Sequence, residues 1–377
     1  MSSPWWVSRS PASTLPDFPW DRLVPAGDRA RSHPDGIVDL SVGTPVDPTP
    51  LIVREALAAA ADAPGYPFTA GTQGLRTSIA ECMARRHDVQ LDPEAVLPTI
   101  GSKELVAWLP TLLGLGSGDV VAVPGLAYPT YEVGALLAGC QVVRADSADD
   151  MAQIRPALIW LNSPANPSGR VLTVDEMASI VEWGRANDAL VVSDECYIDL
   201  AWTASPVSLL HSSVSGGSDE GLLAVHSLSK RSNFAGYRFG FTAGDADLVA
   251  RLLEVRKHVG MIVPSPVQAA AIAALDDDAH VAEQVEVYRR RRDLLLPAIE
   301  RAGFQIEHSQ AGLYLWCTRG DSCWQTVDEL AEIGILVAPG DFYGEAGARH
   351  VRFALTATDE RVEAAVTRLT VLAPSGR

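Results

Sequence analysis

The chain has 377 residues, 47% hydrophobic and 20% charged, enough for one large domain or two ordinary ones around a sizeable core. Its net charge of −17 argues against nucleic acid and anionic membrane as partners, since both select basic surface; an anionic small substrate would need a local cluster of cations. No apolar run approaches the roughly 18 residues of a membrane span, and five scattered cysteines without a C-x-x-C point away from a disulfide framework or a metal site, so no metal is expected.

Residues 1–40 are rich in proline and tryptophan and carry no sustained period. They read as an N-terminal arm rather than a folded unit, lying across a partner surface and allied to a smaller domain or a dimer contact. They lack the charged start, apolar stretch and small-residue cleavage site of a secretory signal, and the expected location is the cytoplasm. Next, "LIVREALAAAADA" (51–63) and "QGLRTSIAECMARR" (73–86) have helical spacing, and "KELVAWLPTLLGL" (103–115) predicts a helix shortened or kinked by Pro110. Four nearly continuous apolar runs follow: "DVVAVP" (119–124), "ALIWLN" (157–162), "ALVVSD" (189–194) and "GLLAVHS" (221–227). Spaced by roughly thirty residues, they predict buried parallel strands in βαβ units. After Pro266 the texture changes. A long charged helix (279–304) leads to "GLYLWC" (312–317), a helix "QTVDELAEIG" (325–334) and "HVRFAL" (350–355), the order of a smaller α+β domain. The expected division is an arm over 1–40, a large α/β domain over 41–262 with a mostly parallel central sheet flanked by helices, and a small domain over 263–377.

In open parallel sheets, ligands gather at the carboxyl ends of strands. Three of the predicted strands empty into "NSPANPSG", "DECYIDL" and "LSK", so Asn166, Asp194 and Lys230 stand 28 and 36 residues apart (194−166 and 230−194), about one βα unit each. An amide, a carboxylate and a lysine converging on one sheet edge suit a pyridoxal phosphate site, in which the lysine amine forms a Schiff base with the cofactor aldehyde. Asp194 would hold the proton of the pyridine nitrogen, and Asn166 and Tyr197 would hydrogen-bond the ring's phenolic oxygen. Lys230, once displaced by the substrate amine, would become the base that moves a proton at the substrate's α-carbon. "GSKE" (101–104) reads independently as a helix N-terminus, where free N–H groups favour an anion.

From near Val38 almost to its end, the chain resembles the class I/II, fold-type I pyridoxal-phosphate aminotransferases. The residues that carry the likeness are "SVGTP" (41–45), "GYPFTAGTQGLR" (65–76), "GSKE" (101–104), "NPSG" (166–169), "DECY" (194–197), "SLSK" (227–230), "GYRFG" (236–240) and "VRFAL" (351–355). The resemblance implies that Lys230 is the Schiff-base lysine. Arg238 would grip the cofactor phosphate with Ser227, Ser229, Ser102 and Lys103, and Tyr128 would stack on the ring. It further implies that Tyr66 reaches the phosphate of a neighbouring subunit, hence a homodimer with shared sites, and that Arg352 holds the substrate α-carboxylate near the backbone of Gly43. Arg231, beside the lysine, has no fixed role in the family and is expected to face solvent or the subunit interface. Cys196 is expected to pack, and "YRRRRD" (288–293) to form a solvated helix face.

Where aspartate-type members carry an arginine for the distal carboxylate, just before a stretch matching "VPSPVQAA", this chain reads Gly260-Met261-Ile262, which points away from simple aspartate specificity. "DLSVGTPVDP", "HSLSKRSNFAGYRFGF", "VRKHVGMIVPSPVQAA", "ALDDDAHVAEQ" and "VAPGDFYGEAGARHVRFALTATDER" are similar to the N-succinyldiaminopimelate aminotransferases of high-GC Gram-positive bacteria. That likeness implies exchange of an amino group between glutamate and N-succinyl-2-amino-6-oxopimelate, in lysine and diaminopimelate biosynthesis. The alternatives on the same scaffold are an aminotransferase of N-acetylornithine, alanine or aromatic type and a C–S β-lyase, because Lys230 and Asp194 would serve those reactions equally. An aminotransferase-like domain of a transcriptional regulator is disfavoured by the acidic balance and by the short stretch ahead of the motifs.

Overall fold

A computed structural model describes residues 15–372. Seven strands form the larger sheet in the order Val96–Thr99, Gly240–Gly244, Leu222–Ser227, Leu190–Asp194, Leu158–Asn162, Val120–Val123 and Gln141–Arg144. Gly240–Gly244 runs antiparallel to both neighbours, and the remaining pairs are parallel. The four apolar runs are thus strands, as their sequence predicts. Leu158 and Trp160 enter one apolar core while Ile159 and Leu161 enter another on the opposite face. A sheet buried on both faces has no use for polar alternation, hence the continuous runs. Helices cover both faces. Val174–Ala186 opens with a reciprocal cap, Thr173 accepting from the Glu176 N–H while the Glu176 carboxylate accepts from the Thr173 N–H at 2.8 Å. Pro110 ends the helix Ser102–Leu112 two residues later, short of the predicted span.

The smaller sheet has four antiparallel strands in the order Ala338–Pro339, His350–Ala354, Tyr314–Thr318 and Gln305–Glu307. Its core takes side chains from the helices Ala279–Arg301, Cys323–Glu332 and Asp359–Leu369. No helix among the described residues is long and apolar enough to cross a membrane.

Three expectations change. Within the supposed arm, Pro19–Leu23 and Val24–Arg31 are helical, and Leu23, Ala26 and Ala30 are buried in the core of the smaller sheet. Val38–Asp39 then pairs in parallel with Ile335–Leu336, so the described part of the segment is folded in its own chain; residues 1–14 lie outside the described ones. Helix Ser265–Asp276 buries Val267, Ala270, Ala271 and Ala274 in the core of the larger sheet, so that core extends past the expected boundary at 262. Finally, "YRRRRD" is only in part a solvated face: Arg290 and Asp293 are exposed, but the segment also faces inward. Tyr288 and Arg291 are buried, and Arg291 bridges Asp47 at 2.8 Å and Asp359 at 2.6 Å. Two distant carboxylates draw this guanidinium inward, and nothing in the local charge pattern encodes them.

Candidate active site

Strand ends assemble the constellation. Asp194 closes Leu190–Asp194, Ser227 closes Leu222–Ser227, and Lys230 lies in the short helical turn Leu228–Arg231 beyond it. Asn162, last in its strand, donates to the Asp194 carbonyl at 2.9 Å and accepts from the Asn166 N–H at 2.8 Å. That one amide latches the Asn166 loop to the neighbouring strand end. Asn166 is buried, its Oδ1 accepts from Arg352 at 2.8 Å, and its amide Nδ2 donates to no group among the described residues.

Asp194 is buried, and burial pushes its carboxyl pKa up. Opposing this, the Tyr131 hydroxyl donates to it at 2.9 Å and the Cys196 N–H at 3.1 Å. Tyr131 was not singled out by sequence; its only signal is a second tyrosine three positions after Tyr128 in "YPTY". Its ring stacks on Trp160 at 4.9 Å and meets Tyr128 edge-on at 5.9 Å, which fixes the hydroxyl's aim. Cys196, half-buried, stands beside the carboxylate and shares this wall.

Lys230 Nζ donates to the Gly43 carbonyl. Burial lowers its pKa, with Arg352 and Arg238 adding to the effect, so the amine is brought closer to the neutral form a nucleophile and base require. Arg352 is 2% exposed. Its Nη1 donates to Asn166 and its Nη2 to the Ser41 carbonyl at 2.6 Å, while Nε has no partner. No carboxylate among the described residues pairs with it; aromatic rings flank it instead, Tyr314 at 3.8 Å and Tyr343 at 5.0 Å from the guanidinium carbon. Tyr197 is buried with its hydroxyl 3.1 Å from that of Tyr314. Tyr314 and Tyr343 were also missed by sequence: the pairing of Tyr314–Thr318 with His350–Ala354 brings Tyr314 to Arg352, and the turn Gly340–Tyr343 brings Tyr343.

A second set of donors surrounds the N-terminus of helix Ser102–Leu112. Gly101, at φ +73°, lies so close to Arg238 that a Cβ there would stand 2.4 Å from Nη2. A Cβ on Gly240 would meet the Ser102 backbone nitrogen at 2.9 Å, so glycine at 240 lets the helix start approach the sheet. Arg238 itself has φ +58°, the turn that reverses the chain into the antiparallel strand. Ser227 and Ser229 hydroxyls lie 2.9 Å apart. Neither Arg238 nor Lys103 has a carboxylate partner among the described residues. Burial, and then the nearby Arg238, lowers the Lys103 pKa. The first-turn Glu104 carboxylate is taken up by the Ile100 N–H and Arg256, so the cations, hydroxyls and free N–H groups form a seat for an anion such as a phosphate. The donor set thus fits pyridoxal phosphate: an anion seat, a buried carboxylate, a phenol and an amide, and a lysine of lowered pKa. Tyr66 stands apart, 100% exposed.

Arg231 departs from expectation. It is 5% exposed, and its Nη1 lies 3.1 Å from Asp199, which also pairs with Arg86 at 2.8 Å. Burial alone would raise the Asp199 pKa, but Arg231 and Arg86 outweigh it and hold the carboxyl well below the usual range. His87 lies 3.7 Å from the same carboxylate, yet burial lowers its pKa to about 4. The ring is therefore neutral at pH 7 and the contact is not an ion pair. Lys230 and Arg231 thus have different surroundings: the first meets the Gly43 carbonyl, the second a buried charge cluster.

Comparison with known proteins agrees with this geometry. The family described as "Aminotransferase class I and II" matches residues 35–369. "Probable aminotransferase Rv1178" of Mycobacterium tuberculosis is 62% identical over 360 residues, covering 95% of this chain and 86% of that protein. The "4-dedimethylamino-4-oxo-anhydrotetracycline transaminase OxyQ" of Streptomyces rimosus is 58% identical over 356 residues, covering 94% and 99%. Among solved structures, the N-succinyldiaminopimelate aminotransferase from Mycobacterium tuberculosis matches with a TM-score of 0.86 at 27% identity, covering 97% of this chain and 99% of that one.

Proposed function

Because the chain belongs to the class I and II aminotransferases, which work with pyridoxal phosphate, we propose that it exchanges an amino group between glutamate and N-succinyl-2-amino-6-oxopimelate. Arg352 carries the reading. A buried guanidinium without a carboxylate partner costs on the order of several kcal/mol, and a substrate carboxylate on its free Nε would relieve that cost beside Lys230. The choice of acceptor is supported by the strings shared with the N-succinyldiaminopimelate enzymes and by the likeness to a solved structure of that name.

When bound, pyridoxal phosphate supplies an aldehyde that takes up the amino group and a protonated ring that draws electrons from the substrate's α-carbon. Arg238, Ser227, Ser229, Lys103 and the N–H groups after Gly101 would hold its phosphate. Tyr128 would cover the ring face. Asp194, steadied by Tyr131, would keep the proton on the ring nitrogen. Asn166, through Nδ2, and Tyr197 would donate to the phenolic oxygen. Lys230 would anchor the aldehyde carbon and then carry the proton at the substrate's α-carbon, with the Gly43 carbonyl holding its amine in place. The fully exposed Tyr66 would serve a neighbouring subunit's phosphate in a homodimer.

A second reading rests on the 58% identity to an enzyme named for a 4-oxo-anhydrotetracycline, a bulky ketone acceptor. Purified holoenzyme given glutamate and each acceptor separates the two. Formation of 2-oxoglutarate with the N-succinyl oxo-acid and not with the tetracycline supports the first, and the reverse supports the second. Pyruvate and ammonia released from cystathionine without any acceptor would move the chain to the β-lyases.

A further inference from the structure

We propose that Tyr314 is a positioning residue of the reaction: its hydroxyl, held between Gly43 and Tyr197, donates to the Tyr197 hydroxyl and thereby directs that group's proton toward the cofactor's phenolic oxygen. The inference rests on the role given to Tyr197 above.

Hydrogen-bond inventory sets the direction. A phenol has one proton and accepts through its oxygen. Each of these two hydroxyls, 3.1 Å apart, has the other as its only partner among the described residues. If Tyr197 spends its proton on the cofactor, it can only accept from Tyr314, and Tyr314 has no other acceptor to serve. The rings meet at 5.7 Å and 72°, an edge-on contact that leaves little freedom to either hydroxyl.

Both neighbours of Tyr314 are site residues. A Cβ on residue 43 would stand 2.1 Å from the Tyr314 oxygen, so glycine there makes room for this hydroxyl, while the Gly43 carbonyl takes the Lys230 amine. The Arg352 guanidinium lies 3.8 Å from the Tyr314 ring. Burial raises the pKa of Tyr197, and the phenol of Tyr314 adds to it; burial would raise Tyr314 also, but Arg352 and then Lys230 outweigh it and bring it down. Tyr314 is thus the better donor of the pair. The remaining titratable groups facing the pair are Tyr128, Tyr288, Tyr343 and Cys196.

A donor behind Tyr197 strengthens its own donation by roughly 10–30%, which stabilises the phenolic oxygen as an anion and keeps the neighbouring nitrogen easier to deprotonate. The test is a pH titration of the holoenzyme's visible absorbance in wild type, Tyr314→Phe, Tyr197→Phe and the double variant. Tyr314→Phe keeps the ring over Arg352 and removes only the hydroxyl. Its midpoint should rise by about half a pH unit, an about threefold change in proton affinity. Tyr197→Phe should raise it further, and Tyr314→Phe should add nothing in that background. A shift in Tyr197→Phe with none in Tyr314→Phe overturns the proposal and leaves the Tyr197 role standing. An equal Tyr314→Phe shift with and without Tyr197 also overturns it, since the effect would then run through Arg352 or Lys230. An unmoved midpoint in Tyr197→Phe removes the Tyr197 role and the inference with it.

Discussion

Replacing Arg231 with methionine tests whether the cation beside the lysine is a structural member of the fold or a surface residue. Were it at the surface, the change would stay within about 0.5 kcal/mol. Buried against Asp199, it should cost far more: removing one partner of a buried pair costs about 3–5 kcal/mol. Asp199 keeps Arg86 at 2.8 Å, which places the loss near the lower end, about 3 kcal/mol. Unfolding entropy of about 2.1 cal/mol/K per residue amounts, over 377 residues, to about 0.8 kcal/mol/K, so the midpoint should fall by about 4 °C. Calorimetry of the holoenzyme at pH 7 would measure it, alongside Asp199→Asn and the double variant. The double variant should be less destabilised than the sum of the singles, by about 1 kcal/mol or more, because neither charge is then left without its partner. A midpoint for Arg231→Met within about 1 °C of wild type, or strict additivity, would refute the buried-pair argument.

Lys230→Ala should abolish the bound cofactor's visible band and lower turnover by at least about 10²–10⁴-fold, the worth of a positioned base; a variant that keeps the band would sink the lysine assignment. Gly101→Ala should raise the Kd for pyridoxal phosphate about tenfold, roughly 1.4 kcal/mol, because the new methyl displaces the Arg238 guanidinium and φ +73° strains alanine. Titration of the apoenzyme checks this, and an unchanged Kd would argue that the anion seat lies elsewhere. The His87 ring, ordinarily titrating at 6.5, titrates at about 4 in the fold because it is buried. The unfolded chain therefore takes up this proton first. The stability due to neutral His87 is complete above about pH 6.5 and is lost as pH falls toward 4, by up to about 3 kcal/mol. Denaturant midpoints at several pH values should show a shallower acid slope in His87→Gln; identical slopes would show that other groups govern acid unfolding.

Much of the larger unit was legible because its information is local. "ALIWLN", "ALVVSD" and "GLLAVHS" announce strands buried on both faces, and the polar residues after each run mark the carboxyl edge where Asn166, Asp194 and Lys230 meet. The edge strand Val96–Thr99 and the antiparallel Gly240–Gly244 were not legible, since proline, glycine and motif residues break their apolar pattern. Around the site the division is the same. Asn166, Asp194 and Lys230 stand in strings whose spacing follows one βα unit after another, so their convergence could be read from sequence, whereas the places of Arg238 and Arg352 followed from the family resemblance.

Tertiary structure alone decided which neighbours those groups would have. The Asp194 carboxylate bonds a tyrosine 63 positions earlier, Tyr197 meets a phenol 117 positions away, and Arg291 reaches an aspartate 244 positions back. Periodicity is written in adjacent residues because one turn or one pleat repeats every few positions. A contact between distant strands or helices depends instead on how whole layers pack. That is why Lys230 could be read from its string taken with those of Asn166 and Asp194, whereas Arg231, the next residue, could be understood only once Asp199 was found beside it.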